Sequence, residues 1–353
     1  MSDRIGIVAI GRNEGERLRA CLTSAVAAGA PTVYVDSGSS DDSVAIAEGL
    51  GVRVVHLDPA GGFTAGKARN LGAAALAEDG PPEFIQFIDG DCELAPGWLA
   101  AARATLIADP RIGVVAGRRR ERFPEASIFN RVCDMEWHTP LGDVRTIGGD
   151  ALYRAEAFAA VGGFDPSFIC GEEPELCFRL HVAGWRVVRI GDEMALHDAA
   201  ITRWSQWRKR TERSGWAYAE GRATYGATPE AYDVPAFRSQ SREYRSLVIW
   251  GCVYPLVLLA ALLLTSGLAA AGSLWWPAAL GLLALGLAAG LVMARRIARH
   301  RLDQLGDPPG HARLYGLMTM LGKPFQFLGA RTYARTKARG ETARIIEYKG
   351  AAQ

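Results

Sequence analysis

Along the N-terminal third of the chain, short apolar runs alternate with longer stretches that are apolar on one face only. Residues 5–10, 32–35, 52–56 and 84–88 are rich in β-branched and aromatic residues and have the length of strands. Between the first two, Leu18, Cys21, Leu22, Ala25 and Val26 recur at helical spacing. Asn13, with Glu16 three residues on, reads as a capping box for that helix, and Gly29 ends it. Ser40 reads as the cap of a second helix that stops near Gly49 or Gly51. Thr64 opens a third helix through Leu76, and Pro96 a fourth through about Ile107. Repeated strand–helix alternation predicts an α/β fold with a parallel, doubly wound sheet and right-handed crossovers.

From 114 to 200 the pattern is less regular. Short strands at 114–117, 145–148 and 186–190 mix with helices at 154–161 and 173–183, as a second half packed on the same sheet. A polar, aromatic-rich helical stretch, 201–225, leads into a Pro-punctuated linker that reaches Arg245. Then come two uncharged segments, 247–268 and 274–294, each of roughly the 20 residues needed to cross hydrocarbon. Arg238, Arg242 and Arg245 precede them, and Arg295, Arg296, Arg299 and Arg301 follow. The positive-inside rule makes this a transmembrane hairpin with both ends cytoplasmic, and Trp275 and Trp276 fall where an interface belt would be. Two buried helices of a soluble domain are the alternative. Residues 311–335 are mildly apolar but interrupted by Lys323 and Pro324, which suits an interfacial or re-entrant helix pair better than a third span. The expected organisation is an α/β domain over 1–225, a linker over 226–246, the hairpin over 247–294 and a basic tail over 295–353.

Composition sharpens this picture. Apolar residues make up 49% of the chain, enough for a core and for membrane segments. A net charge of +2 argues against nucleic acid as a partner. The charge is unevenly placed: residues 295–353 carry twelve Lys/Arg against four Asp/Glu, which points to an anionic membrane surface. The six cysteines form no CxxC pair, as expected of reduced thiols in a cytosol-facing protein. The N-terminus is expected to carry no signal peptide, because Arg4 leads directly into the first strand.

The candidate chemistry lies at the predicted strand ends. Asn13-Glu14 follows the first strand, Asp36-Ser37-Gly38-Ser39-Ser40-Asp41-Asp42 the second, and Asp89-Gly90-Asp91 the fourth. In a parallel sheet all three meet at the carboxyl edge, where open α/β sheets bind ligands. Asp-Gly-Asp is good turn chemistry in its own right. It is also a suitable clamp for a hard divalent cation, which takes oxygen ligands and bridges to phosphates. So many carboxylates at one edge repel one another unless hydrogen-bond donors or a cation offset them. A nucleotide would supply the donors and a divalent ion the charge. No GxGxxG follows the first strand, which disfavours a dinucleotide cofactor.

Six stretches in order, VAIGRNEGERL, VYVDSGSSDDS, GKARNLGAA, FIQFIDGDCELAPGWL, VGGFD and GEEPELCFRLHVAGWRV, resemble a family 2 glycosyltransferase of the GT-A fold over roughly residues 4–225. The resemblance implies that Asn13, Glu14 and Asp36 contact the donor's base and ribose, with Lys67 and Arg69 as further base or phosphate contacts. It implies that Asp89 faces the ribose or metal and Asp91 holds the metal, Mg²⁺ or Mn²⁺. It places the general base at Glu173, with Glu172 as its neighbour. Glu stands where the family usually has Asp, so a base role for Glu172 stays open. Pro174 fits a helix's first turn, which would put both acids at a helix N-terminus. His197 matches a position that some such enzymes use as a further metal ligand, and a structural histidine is the alternative. The segment from Arg203 to Arg210 loosely resembles the family's aromatic and basic segment but lacks a clean QxxRW. Arg208 or Arg210 is there a candidate to neutralise the leaving diphosphate, or else a basic anchor of an interfacial helix.

The implied reaction is inverting transfer from a nucleoside-diphosphate sugar. The hairpin adds a lipid-linked or glycolipid acceptor at the cytoplasmic face of the inner (plasma) membrane, as in exopolysaccharide or cell-envelope assembly. A sugar nucleotidyltransferase is the enzymatic alternative, though it would carry a Gly-rich basic loop after the first strand. A membrane-anchored binding or scaffold protein with a dead site is the third reading.

Overall fold

The computed structural model describes residues 5–58, 62–78, 80–226, 231 and 233–341, so the end of the expected tail and the very N-terminus lie outside it. In chain order the first half runs β1 (Ile5–Gly11), α1 (Glu16–Ala27), β2 (Thr32–Asp36), α2 (Ser43–Gly49), β3 (Arg53–His56), α3 (Ala65–Glu78), β4 (Phe84–Asp89), β5 (Cys92–Leu94), α4 (Trp98–Ala108) and β6 (Ile112–Glu121). The second half runs α5 (Ile128–Trp137), β7 (Gly142–Asp143), β8 (Ala151–Arg154), α6 (Ala155–Ala160), α7 (Glu172–Val182), β9 (Arg186–His197) and α8 (Trp204–Tyr225). Four more helices follow: α9 (Pro235–Val248), α10 (Tyr254–Ala270), α11 (Trp276–Leu305) and α12 (Pro309–Ala338).

One sheet carries the α/β part, in the order β3-β2-β1-β4-β8-β6-β9-β5, with β7 paired to β9. The first four strands are parallel, as the alternation predicts. The second half departs from the all-parallel expectation, because β8 runs antiparallel between β4 and β6. The sheet is therefore mixed. Strands β1 and β4 are buried along almost their whole length, which is why they read as unbroken apolar runs. The one polar side chain in that stretch of β4, Gln86, is buried and accepts a hydrogen bond from Trp98 Nε1 at 2.8 Å. Beneath β4, Phe87, Tyr153, Phe158 and Phe164 pack edge to face.

Several expected elements are corrected. Asn13 does not cap α1, and Ser40 does not cap α2. The Asn13 side chain accepts the Ser40 N–H at 2.7 Å, and its own N–H donates to Ser39 Oγ at 2.9 Å. These polar groups tie two strand-end loops together, and the helices begin later, at Glu16 and Ser43. Thr64 does act as expected, accepting the Lys67 N–H at 3.1 Å. Residues 145–148 form no strand; the paired segment lies just beyond, at β8. The 226–246 linker holds a helix, α9, that passes through a π-helical turn (Ile249–Val253) into α10 without a break. Residues 311–335 are not a helix pair but the middle of one helix, α12, which runs through Pro324.

Helix α12 is held there by packing. Gly215 on α8 and Gly329 on α12 bring the two backbones together: a Cβ on Gly215 would stand 1.9 Å from the Gln326 carbonyl oxygen, and one on Gly329 would stand 1.8 Å from that of Glu212. Lys323, buried beside Pro324, donates to Glu243 of α9 at 3.1 Å. Trp207 of α8 stacks on Phe129 and meets Phe325 of α12. Helices α10 and α11 differ: no residue of α10 is buried, and Leu256, Leu263, Leu282 and Leu285 all stand exposed. The continuous helix Phe237–Ala270, which ends in α10, and α11 are each long and apolar enough to cross a membrane.

Gly329→Val should lower the unfolding free energy by about 1–3 kcal/mol, because the overpacked interface must open. Gly267→Ala in α10, where a Cβ meets open space, should leave it unchanged or raise it. Thermal melts of the two variants in one detergent check both outcomes.

Candidate active site at the carboxyl edge of the sheet

Strand register assembles the site. Gly11 pairs with Asp36 and Ile10 with Asp89, so the loops after β1, β2 and β4 leave the same edge side by side. Asp36 is buried and already engaged: Tyr34 OH donates to its Oδ1 at 3.1 Å, and the N–H groups of Gly38 and Ser39 to its Oδ2 at 3.0 Å. It draws its own loop back onto the strand end as an Asx-type turn, which forms a rim of the edge. Glu14 forms an ion pair with Arg17 at 2.9 Å, and its N–H donates to Ser43 Oγ. Lys67 Nζ reaches the Gly62 carbonyl at 3.2 Å.

Arg69 occupies the centre, only 2% exposed. Its Nη2 donates to Asp89 Oδ1 at 2.8 Å, its Nη1 to Glu172 Oε1 at 2.9 Å, and Nη2 lies 3.9 Å from Glu173 Oε1. The guanidinium stands over the Phe164 ring and against Gly149, where a Cβ would be 2.0 Å from Nη2. Burial opposes its charge, but Asp89, Glu173 and Glu172 more than offset that and raise its pKa further. Burial likewise opposes ionisation of Asp89, and Arg69 and Arg119 outweigh it, holding the carboxyl below its ordinary range. The two glutamates at the start of α7 diverge. Glu172 is buried on Arg69, whereas the Glu173 side chain is 21% exposed toward the edge. Burial and the neighbouring Glu172 charge push Glu173 up to about 7.

On the other side of the Asp-Gly-Asp turn, Asp91 Oδ2 lies 3.3 Å from His197 Nε2, and His197 Nδ1 lies 3.4 Å from Glu121 Oε2. Burial lowers the imidazole pKa against the pull of Glu121. A neutral imidazole has one N–H, so of these two carboxylate contacts one sets lone pair against lone pair. A cation between Asp91 and His197 Nε2, with Nδ1–H donating to Glu121, removes that conflict and is the usual carboxylate–histidine–metal arrangement. Asp91, Cys92 and His197 offer ligand atoms within 4.8 Å of one another. Cys92 does not fit the same role. Its thiol pKa is raised well above the ordinary value by burial and by Asp150, and its Sγ–H donates to Asp150 Oδ2 at 3.1 Å. The donor set that fits a hard divalent ion is thus Asp91 and His197, with Asp89 beside them.

Four residues that sequence reasoning passed over support this set. Asp150 accepts the Asp89 N–H at 2.9 Å and pairs with Arg119 at 3.0 Å. Arg119 stacks 4.2 Å from the Trp137 centroid, and Trp137 in turn meets His197 edge-on at 4.5 Å. Glu121 also accepts the Ala199 N–H at 3.1 Å. The available signals were a Gly-Gly-Asp turn before a strand and one acid closing the run Arg118-Arg119-Arg120-Glu121. Arg208 and Arg210 are not brought to the acids: Arg208 pairs with Glu212 at 3.4 Å and Arg210 with Glu136 at 2.7 Å.

Comparison with known proteins agrees with this geometry. The family described as "Glycosyl transferase family 2" matches residues 7–157, and "Glycosyl transferase family group 2" matches residues 85–293. A pre-mycofactocin glycosyltransferase of Mycobacterium tuberculosis is 30% identical over 205 residues, which is 53% of this chain and 41% of that protein. The succinoglycan biosynthesis protein ExoA of Rhizobium meliloti is 32% identical over 185 residues, 49% of this chain and 54% of that one. The chain thus spans about half the length of these two relatives. It covers 84% of an uncharacterized glycosyltransferase of Mycobacterium tuberculosis, at 31% identity. Among solved structures, a mannosyltransferase from Pyrobaculum calidifontis in complex with GDP-Man and Mn²⁺ shares the fold, with a TM-score of 0.60 at 18% identity over 95% of this chain and 88% of that one. With more than half of its length matched by the family and its strand-end acids set on a GT-A fold, the chain belongs to the family 2 glycosyltransferases.

Proposed function

We propose that the protein transfers a sugar, with inversion, from a nucleoside-diphosphate sugar to a hydroxyl of a lipid-linked or glycolipid acceptor. The reaction would take place at the cytoplasmic face of the inner membrane, in polysaccharide or glycolipid assembly. One observation carries the reading: Arg69 joins Asp89, on the donor side, to the Glu172-Glu173 pair, and of that pair only Glu173 keeps an open face.

Glu173 is the general base in this reading. With its pKa near 7 it is ionised in part at neutrality and strong enough to take a proton from an attacking hydroxyl. Glu172 and Arg69 position it and keep its carboxylate from turning away. The rims formed by Asn13, Glu14 and Asp36 would receive the base and ribose, with Lys67 nearby. Asp91 and His197, with Asp89, would hold Mg²⁺ or Mn²⁺, which when bound neutralises charge on the departing diphosphate. Arg208 and Arg210, engaged elsewhere, are left out of the chemistry. The names of ExoA and of the O-antigen chain rhamnosyltransferase RfbN of Salmonella typhimurium, 26% identical, support a polysaccharide setting. The exposed leucines of α10 and α11 support a bilayer, since an apolar face of that length in water is costly.

Glu173→Gln should bind donor as the parent does and lose transfer by roughly 10²- to 10⁴-fold. Because the base acts ionised, the parent's rate should rise with pH through about 7 and then level. Glu172→Gln removes a repelling charge and frees more of Arg69 for Glu173, so its acid limb should move to lower pH. Nucleoside diphosphate release measured against pH checks all three; a Glu172→Gln enzyme that is dead beside an active Glu173→Gln would reverse the assignment. Asp91→Ala and His197→Ala should each weaken Mn²⁺ binding, measured by calorimetry, by at least tenfold and abolish transfer. Undiminished turnover in excess chelator would sink the metal's role.

A further inference from the structure

Beside Trp137 lies a cavity of about 390 Å³ lined by Arg118, Trp137, Leu141, Arg189 and, from the end of α11, Gln304 and Leu305. Its two arginines differ from those of the acid cluster. Arg69 and Arg119 are each matched by carboxylates. Arg118 Nη1 and Arg189 Nε are buried and have no hydrogen-bond partner, as Arg69 Nε also has none, but neither Arg118 nor Arg189 has a carboxylate bonded to its other nitrogens. Arg189 spends one N–H on the Gly117 carbonyl at 3.0 Å, a neutral group. The acids that attract Arg118, Asp134 and Asp307, are already engaged, Asp134 by the Glu121 N–H and Asp307 by Arg301 and His138. Burial lowers both guanidinium pKa values, helped at Arg118 by Arg120 and Arg301 and at Arg189 by Arg119 and Arg118, and Arg189 falls to about 10. Two part-buried guanidinium groups lining one cavity with no carboxylate bonded to either are a cost to the fold unless an anion resides beside them part of the time.

We infer that this cavity binds a phosphate oxyanion of the acceptor. The inference rests on the glycosyltransferase reading above and adds to it the chemical class of the acceptor's anchor. Guanidinium forks suit phosphate oxygens, which accept several charge-assisted hydrogen bonds. Trp137 lines the cavity and also meets His197 edge-on at 4.5 Å, so a phosphate held here stands one side chain away from the acid cluster. The end of α11, a helix apolar enough to span a bilayer, forms part of the wall, which favours a phosphate carried by a lipid over a free one.

The test uses full-length protein in neutral detergent, with calorimetric binding of an isoprenyl phosphate, the matching isoprenyl alcohol and inorganic phosphate. The isoprenyl phosphate should bind at least tenfold more tightly than either of the others. Arg118→Gln and Arg189→Lys are the variants. Arg118→Gln should lose roughly tenfold or more of the phosphate preference. It should melt no lower than the parent, since it removes an unpaired buried charge. Arg189→Lys keeps the charge without the fork and should fall between. Equal binding of phosphate and alcohol, or Arg118→Gln that binds like the parent, would overturn the site; inorganic phosphate binding as tightly as the isoprenyl phosphate would overturn the lipid anchor. A lipid extract that fails to stimulate sugar transfer by the parent would overturn the lipid-acceptor reading itself. An extract that stimulates the parent and Arg118→Gln with the same KM would overturn this inference alone.

Discussion

The buried guanidinium of Arg69 is the constraint on which the site depends. It bonds the end of β4 through Asp89 and the start of α7 through Glu172. These residues stand 83 positions apart, yet one planar fork fixes them within its own width. A lysine would supply the charge without the second directed bond. Removing a buried charge of this kind costs several kcal/mol, because it leaves its carboxylates unpaired. Burial raises the Glu173 pKa first, and the Glu172 charge, which one cation shared among three acids leaves in excess, raises it further. Arg69 is sufficient to hold the acids together and insufficient to neutralise them.

A second imbalance, of opposite sign, lies beside Trp137. The ring meets His197, whose contact with Asp91 a cation would relieve. It also lines the cavity of Arg118 and Arg189, where Arg118 Nη1 and Arg189 Nε have no hydrogen-bond partner. Arg119 stands over the same ring and is neutralised by Asp150 at 3.0 Å, so the arginine next in sequence to Arg118 serves the acid cluster instead.

How much of this was legible follows from the range of the forces involved. Strand ends β1, β2 and β4 were readable because parallel pairing converts apolar runs directly into a shared edge, and Asp36, Asp89 and Asp91 came with it. His197 and the Glu172-Glu173 pair were reachable through motif order. The caps of α1 and α2 were misread because Asn13 and Ser40 satisfy each other across loops, a contact that no local pattern reveals. Arg69 looked like a phosphate contact. Nothing in GKARNLGAA says that Gly149 leaves room for its head among the acids. Asp150, Arg119 and Glu121 act through other side chains, and their partners are set by β8 entering antiparallel between β4 and β6, a topology that the alternation rule does not predict.

The same limit applies to α12. Lys323 and Pro324 in mid-segment argued against one continuous helix, since proline removes a backbone donor and a buried lysine is costly. Both objections are met by tertiary contacts: Glu243 takes the Lys323 charge, and α8 and α9 hold the helix on either side of Pro324. The consequence reaches the site. Arg301, near the end of α11, donates to the His138 carbonyl at 3.0 Å, and Asp307, just beyond that helix, contacts the His138 ring at 3.1 Å. His138 follows Trp137 directly. The helix that carries the exposed leucines is therefore bonded to the residue next to Trp137, which touches His197 and lines the arginine cavity. A bilayer that fixes α11 would fix the height of Trp137 too, and the reach of any acceptor would follow from that bond rather than from a flexible tether.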